Sequence, residues 1–425
     1  MYLADVLPGL NYAPSAVTSI DGRDVILYLK AWSLKNNLQD PDALYNTLFS
    51  EIAQSAIDNP PLFSTATQFP GPNTTITFEN GTSQTLPNEA IVAGDFTGVD
   101  SGAAFYKKFC TPSTASESAA ASSTAAASTS SAPPAPTIHG YPNPIITHSK
   151  NAVSGYFLES PAYKDYAVLS VLTFEVSGEE AQEFQDVVQK FLEKTKKDGK
   201  KKLIVDLQAN GGGTILAGYD LFGQLFPHIE PYGAGNLRAH ADLNVIGQGF
   251  SDFIGTIPPD NLTALAENNA NADFNFRSDP TVNNTNFASW NELFGPVAVH
   301  NGNFTNLYRM NISSPVDTVL TNAGIVVTGQ LNRTGFTQPF AAEDIVMLTD
   351  GFCASTCSIF YEFMTTQAGV QSIAVGGRPQ HGPMQAIGGV KGYVLSTVST
   401  SSRALALTDI TPQLRSLSLQ RLPPG

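Results

Sequence analysis

The chain is short of charge, of cysteine and of long apolar runs, and each shortage removes a class of protein. Charged residues make up 14% of its 425 positions, with 23 Lys plus Arg against 37 Asp plus Glu. A net charge of −14 gives no field for neutralising phosphates, so nucleic acid is not an expected partner. The one basic cluster, Lys194 to Lys202, reads as a solvated patch at a helix end. No apolar run reaches the roughly 18 residues that a membrane-spanning helix needs. Cys110, Cys353 and Cys357 are too few for a disulfide-stapled module, and two cysteines four apart do not make a zinc site. Neither a metal nor a cofactor is implied. Met1 to Val17 has no basic start followed by an apolar stretch, so no signal peptide is read there.

What the chain does have is apolar and aromatic material. Hydrophobic residues are 42%, with 25 Phe and 14 Tyr, enough for two or three domains with a sizeable core. Seven Asn-x-Ser/Thr sites are glycosylation candidates: Asn73, Asn80, Asn261, Asn283, Asn303, Asn311 and Asn332. With the low charge they lean toward an extracellular or secretory-pathway setting.

Residues 1–110 read as a small mixed unit. The pattern predicts a strand at Val25 to Leu29, a helix at Asp40 to Ile52, and a hairpin from Thr74 to Phe78 through the Asn80–Gly81 turn. Residues 111–136 are Ser, Thr, Ala and Pro apart from Glu117, so this low-complexity segment is a linker or exposed loop. In residues 137–425 the periodicity sharpens. A strand at Ala167 to Phe174, a helix at Glu179 to Glu193, a strand at Leu203 to Leu207, a Gly-rich turn and a helix through Phe226 give a βαβα order. Residues 229–320 are Asn-rich and weakly periodic. Strands return at Gly324 to Thr328, Ile345 to Leu348 and Ser372 to Val375, with a helix at about Ser355 to Thr366. Tyr393 to Val398 and Ala404 to Leu407 are further strand candidates.

Three segments carry chemistry. In Asp206-Leu-Gln-Ala-Asn210-Gly211-Gly212-Gly213, glycines after a buried strand let backbone N–H groups cradle an anion or oxyanion, or simply make a tight turn. In Asp350-Gly351-Phe352-Cys353-Ala354-Ser355-Thr356-Cys357, Ser355 follows a strand-turn at a helix start, a place for an exposed nucleophile or for an N-cap. Cys353 and Cys357 read as a buried pair, as a disulfide or as thiol nucleophiles. In Gly376-Gly377-Arg378-Pro379-Gln380-His381-Gly382-Pro383, His381 is the candidate base. The orienting group is left open among Asp206, Asp350 and Glu362. Asp206 and Asp350 equally suit turn caps, and no spacing brings them together.

Taken in order, D-L-Q-A-N-G-G-G, L-T-D-G-F-C-A-S-T-C-S-I-F and V-G-G-R-P-Q-H-G-P-M-Q resemble the S41 peptidases, the tail-specific or C-terminal processing proteases. The likeness is greatest to a secreted fungal branch similar to the chlamydial protease-like factor CPAF. It implies an α/β fold with a crotonase/ClpP-like ββα core, preceded by a partial PDZ-like domain. It implies Ser355 as nucleophile, an oxyanion hole from Thr356 and one amide of Gly211, Gly212 or Gly213, and a polypeptide substrate. The family's lysine base is absent from the loop around His381. Its CPAF-like branch draws a histidine and a glutamate from segments flanking the stretch present here, so the chain is expected to be the middle and core of a longer secreted protein. Two other functions stay open. One is a catalytically inactive relative that binds peptides or proteins through the PDZ-like part. The other is a non-peptidase hydrolase or lyase on the crotonase-like core. Oligomeric state is not legible.

Overall fold

The computed structural model describes residues 15–57, 60–65, 68–90, 94–111, 140–316 and 324–391. These fall into two compact units. One comes from within Met1–Ala31 and Ala66–Ala135, the other from within Trp32–Thr65 and Pro136–Gly425. Residues 32–57 and 60–65 pack with the larger unit. Apart from residue 111, the linker segment lies outside the described residues, as do the strand candidates after Gly392.

The smaller unit is built on an antiparallel sheet of β1 (Val17–Ile20), β2 (Arg23–Asp24), β3 (Asn73–Phe78) and β4 (Ser83–Pro87), in the order β2-β1-β3-β4. The Asn80–Gly81 turn joins β3 to β4, with Asn80 Oδ1 accepting from the Thr82 amide at 3.0 Å. The strand predicted at Val25 to Leu29 is instead the start of helix α1 (Val25–Ser33). Asp24 Oδ1 accepts from the Leu27 amide at 3.0 Å, as a residue before a helix does. Five consecutive apolar residues fit either period, and the cap decides for the helix.

The larger unit begins with α2 (Pro41–Asn46) and α3 (Ile52–Ala56), where a single helix was predicted. Asp40 caps α2, accepting from the amides of Asp42 and Ala43 at 2.9 and 3.0 Å. A six-stranded mixed sheet follows: β5 (Ile146–Thr147), β6 (Val153–Phe157), β7 (Tyr166–Val171), β8 (Lys202–Asp206), β9 (Ile345–Thr349) and β10 (Gln371–Ala374), in the order β10-β9-β8-β7-β6-β5. The pairs β7–β8, β8–β9 and β9–β10 are parallel; β6 pairs antiparallel with β5 and β7.

Helix α4 (Glu179–Lys197) has Phe184, Val187, Val188, Phe191 and Leu192 on its buried face. Glu179 and Glu180 sit in its first turn and Lys194, Lys196 and Lys197 in its last, complementing the helix dipole. It presses onto β6 so closely that a Cβ on Gly155 would lie 2.1 Å from the Phe191 ring. Helix α5 (Ile215–Leu225) is buried on nearly every side, as its apolar sequence demands. The predicted strand at Gly324 to Thr328 does not form. Ile325 and Val327 are buried, but the backbone there bonds to side chains: Gln185 Nε2 donates to the Val326 carbonyl, and the Thr328 amide donates to Asp220. The Asn-rich stretch holds the 14-residue helix α6 (Ala241–Ile254), which its two glycines hide from a propensity reading. Trp290 and Phe250 centre two small clusters of its own. Among the described residues no helix is long and apolar enough to cross a membrane.

Candidate active site

Strands β8 and β9 are parallel neighbours with Leu348 opposite Asp206, so the turns that follow them open at the same end of the sheet. Those turns hold the first two motifs. Each is tied by a side chain accepting from an amide two residues ahead. Asp206 Oδ1 takes the Gln208 amide at 3.1 Å, Asn210 Oδ1 the Gly212 amide at 2.9 Å, and Asp350 Oδ1 the Phe352 amide at 2.9 Å. Fully buried Asn210 also donates from Nδ2 to the Val171 carbonyl at 2.8 Å, pinning the Gly-rich turn to the end of β7.

Ser355 stands between that turn and helix α7 (Thr356–Glu362). Its φ of 52° is in the region that disfavours side chains, so surrounding contacts must hold it there. The Ser355 amide donates to the Val390 carbonyl at 2.7 Å, and the Cys357 amide to the Ala354 carbonyl at 3.0 Å. A disulfide joins Cys353 to Cys357, both fully buried, and so brackets Ser355. Ser355 Oγ makes no hydrogen bond to any described residue.

The Gly-rich turn lies directly against this serine. A Cβ on Gly212 would lie 2.6 Å from Ser355 Cβ, 2.7 Å from the Ala354 carbonyl oxygen and 2.9 Å from the Thr356 amide nitrogen. With φ at 104° as well, position 212 admits glycine alone. Thr356 Oγ1 donates to the Gly213 carbonyl at 2.6 Å and closes the junction from the other side. The Thr356 amide begins its helix and has no acceptor within it. The Gly212 amide is taken by Asn210, whereas those of Gly211 and Gly213 have no acceptor among the described residues. The structure thus brings together Ser355, Thr356 and Gly211–Gly213.

It also gathers acids that no sequence spacing pairs. Asp350 is 2% exposed, and its Oδ2 accepts from the Ala209 amide at 2.8 Å. Burial pushes Asp206 up to about 6, with the neighbouring Asp350 charge adding to the effect. Tyr141 OH donates to Asp206 Oδ2 at 3.5 Å, and burial with that carboxylate raises the phenol. Glu51 is pushed up to about 8, first by burial and then by Asp350. Glu51, Asn46 and Asp42 carried no signal beyond their residue type.

The third motif sits differently. Asp42 binds Arg378 through its amide at 2.9 Å and its guanidinium at 2.7 and 3.2 Å, and Asn46 Oδ1 accepts from the Gly377 amide at 2.6 Å. His381 is exposed and makes no hydrogen bond or ion pair to any described residue. Glu362 pairs with Lys391 rather than joining the acids. Beyond the motif, residues 387–390 run beside the nucleophile turn, with the Gly389 amide donating to the Cys353 carbonyl at 3.1 Å.

A family model described as a CPAF-like PDZ domain matches residues 1–97. The chain is 36% identical over 339 residues to the peptidase S41 family protein ustP of Aspergillus flavus, covering 77% of this chain and 68% of that protein. The chain belongs to the S41 peptidase family. It is also 32% identical over 406 residues to the peptidase S41 family protein phomP1 of Diaporthe leptostromiformis, covering 92% of this chain and 59% of the relative. It therefore spans between 59% and 68% of the length of these S41 relatives. Mature CPAF is similar with a TM-score of 0.38 at 13% identity, covering 90% of this chain and 73% of that one. For this S41 chain the fold is a mixed α/β arrangement with a PDZ-like N-terminal domain. Of the seven glycosylation candidates, Asn311 is half-buried and bonded from Nδ2 to the Ser278 carbonyl at 3.3 Å; the other six are exposed.

Proposed function

We propose that this chain carries the core of a serine endopeptidase, with Ser355 as its nucleophile. The observation that carries the reading is the approach of Gly212 to Ser355 and to the Thr356 amide. In this reading Ser355 Oγ attacks a peptide carbonyl and gives up its proton to a base. The carbonyl oxygen becomes an oxyanion and receives hydrogen bonds from Thr356 and from Gly211 or Gly213. Gly212 contributes shape rather than a donor, since Asn210 occupies its amide. Collapse expels the amine and leaves an acyl-enzyme on Ser355, which water then hydrolyses. The core is read as crotonase/ClpP-like ββα, its helix-start amide and Gly-rich turn supplying the two halves of the hole.

For the base the reading keeps His381, which lies in an exposed loop. Replacing His381 by Gln is expected to lower kcat at least tenfold, and unchanged turnover removes it from the role. The extracellular or secretory-pathway setting is supported by the buried disulfide and by six exposed glycosylation candidates.

A fluorophosphonate probe tests the nucleophile. An adduct on Ser355, found by mass spectrometry and absent from Ser355→Ala, is expected. A folded protein that stays unlabelled there overturns the reading. The exposure of His381 favours one competitor, a relative that binds peptides without cutting them. It predicts equal binding by Ser355→Ala and no turnover in either form.

A further inference from the structure

We propose that Asp350 is a positioning residue for the Ser355 reaction, holding the Gly-rich turn and the nucleophile turn in register, with Glu51 as the neighbouring carboxyl group whose ionisation opposes it. The proposal rests on the serine-peptidase reading for its kinetic consequences and on the Asp350 hydrogen bonds for the clamp.

Asp350 has one oxygen in each turn. Oδ1 accepts from the Phe352 amide at 2.9 Å, three residues before Ser355. Oδ2 accepts from the Ala209 amide at 2.8 Å, two residues before Gly211. Ala209 is fully buried with φ at 64°, a conformation that a non-glycine residue keeps only when its surroundings impose it. The bond from Asp350 imposes it, and so fixes where the following glycines begin. The Asp350 carbonyl is held in turn by Asn46 Nδ2 at 2.7 Å, so backbone and side chain are both anchored.

The charge around this clamp is one-sided. Glu51, just before α3, faces Asp350. Asp206 approaches from the end of β8, with Tyr141 OH donating to it at 3.5 Å and Tyr156 near enough to feel its charge. Among the described residues no Lys, Arg or His makes an ion pair with Glu51, Asp206 or Asp350. Both Asp350 oxygens are already accepting N–H groups, while Glu51 Oε2 is buried with no hydrogen-bond partner. Burial and the adjacent Asp350 charge push Glu51 up to about 8, so it holds a proton at neutral pH. Loss of the proton sets a second negative charge against Asp350 and works against the clamp.

The test uses the full chain, Asp350→Asn and Glu51→Gln. Asn keeps one acceptor oxygen and turns an N–H toward the other amide. Labelling of Ser355 by a fluorophosphonate is expected to slow about 10- to 100-fold in Asp350→Asn, because the Gly-rich turn moves relative to the serine. Wild type is expected to lose labelling rate as pH rises through about 8, and Glu51→Gln to lack that falling limb. Hydrogen exchange of residues 207–213 and 350–356 gives a readout without activity: both segments are expected to exchange faster in Asp350→Asn, and α4 is not. A wild-type rate in Asp350→Asn, or a falling limb retained in Glu51→Gln, overturns the kinetic role. Unchanged exchange in both segments overturns the clamp. An unlabelled wild type would instead sink the peptidase reading and leave the clamp to be judged by exchange.

Discussion

Replacing Gly212 by Ala probes the site through one carbon atom. That atom would meet Ser355 Cβ at 2.6 Å, the Ala354 carbonyl oxygen at 2.7 Å and the Thr356 amide nitrogen at 2.9 Å. Two carbons rest at about 3.5 Å or more, so Ser355 and the Gly-rich turn must separate by about 1 Å. Neither partner is the free end of a flexible chain: Ser355 is fixed through its amide to Val390, and Thr356 Oγ1 binds Gly213. The positive φ of 104° adds strain of about 1–2 kcal/mol. A 1 Å displacement of reacting groups costs on the order of 10²-fold in rate. Fluorophosphonate labelling of Ser355 is therefore expected to fall about 100-fold, with the variant still folded by circular dichroism. Gly199→Ala is the control. Its φ is also positive, at 68°, but a Cβ there meets nothing within 4 Å. It is expected to lose about 1 kcal/mol of stability and no labelling rate. Equal labelling of Gly212→Ala and wild type would refute the close approach and, with it, the proposed oxyanion hole.

Three further outcomes are expected. Asp220→Ala strands the Thr328 amide and hydroxyl, both bonded to Asp220 Oδ1 at 2.8 Å, and the nearby Arg333; urea denaturation should show a loss of about 3–5 kcal/mol. Gly155→Ala drives a methyl group into the Phe191 ring and should cost about 1–3 kcal/mol in the same assay, whereas Gly178→Ala, where a Cβ meets nothing, should lose only backbone strain. Glu51 and Asp206 are both raised above their unfolded values, to about 8 and about 6, so the native state binds more protons than the unfolded chain between about pH 4 and 8. Their contribution to stability is complete below that window and is lost as pH rises through it; a denaturation midpoint that climbs from pH 5 to 8 would contradict the sign.

The order β7, α4, β8, Gly-rich turn, α5 was legible because each element repeats its apolar residues at its own period, and glycines punctuate the joins. The same reasoning failed at Val25 to Leu29, where five apolar residues fit both periods. It failed again at Gly324 to Thr328, whose apolar side chains are buried while side chains of other elements satisfy its backbone. It also kept Asp206 apart from Asp350, which are 144 positions apart by number. Parallel pairing of β8 with β9 removes that separation.

By itself, the sequence determined the three chemical segments: local conformation is enough to mark glycines in a tight turn, a serine between two cysteines at a helix start, and a Gly/Pro-rich loop around His381. Only the tertiary structure decided which of their atoms meet. It set Gly212 beneath Ser355, gave the Gly212 amide to Asn210, left His381 exposed and gathered Glu51, Asp206 and Asp350 into one buried group. Those outcomes depend on strand register and on burial across distant segments, and neither is written in any single stretch of residues.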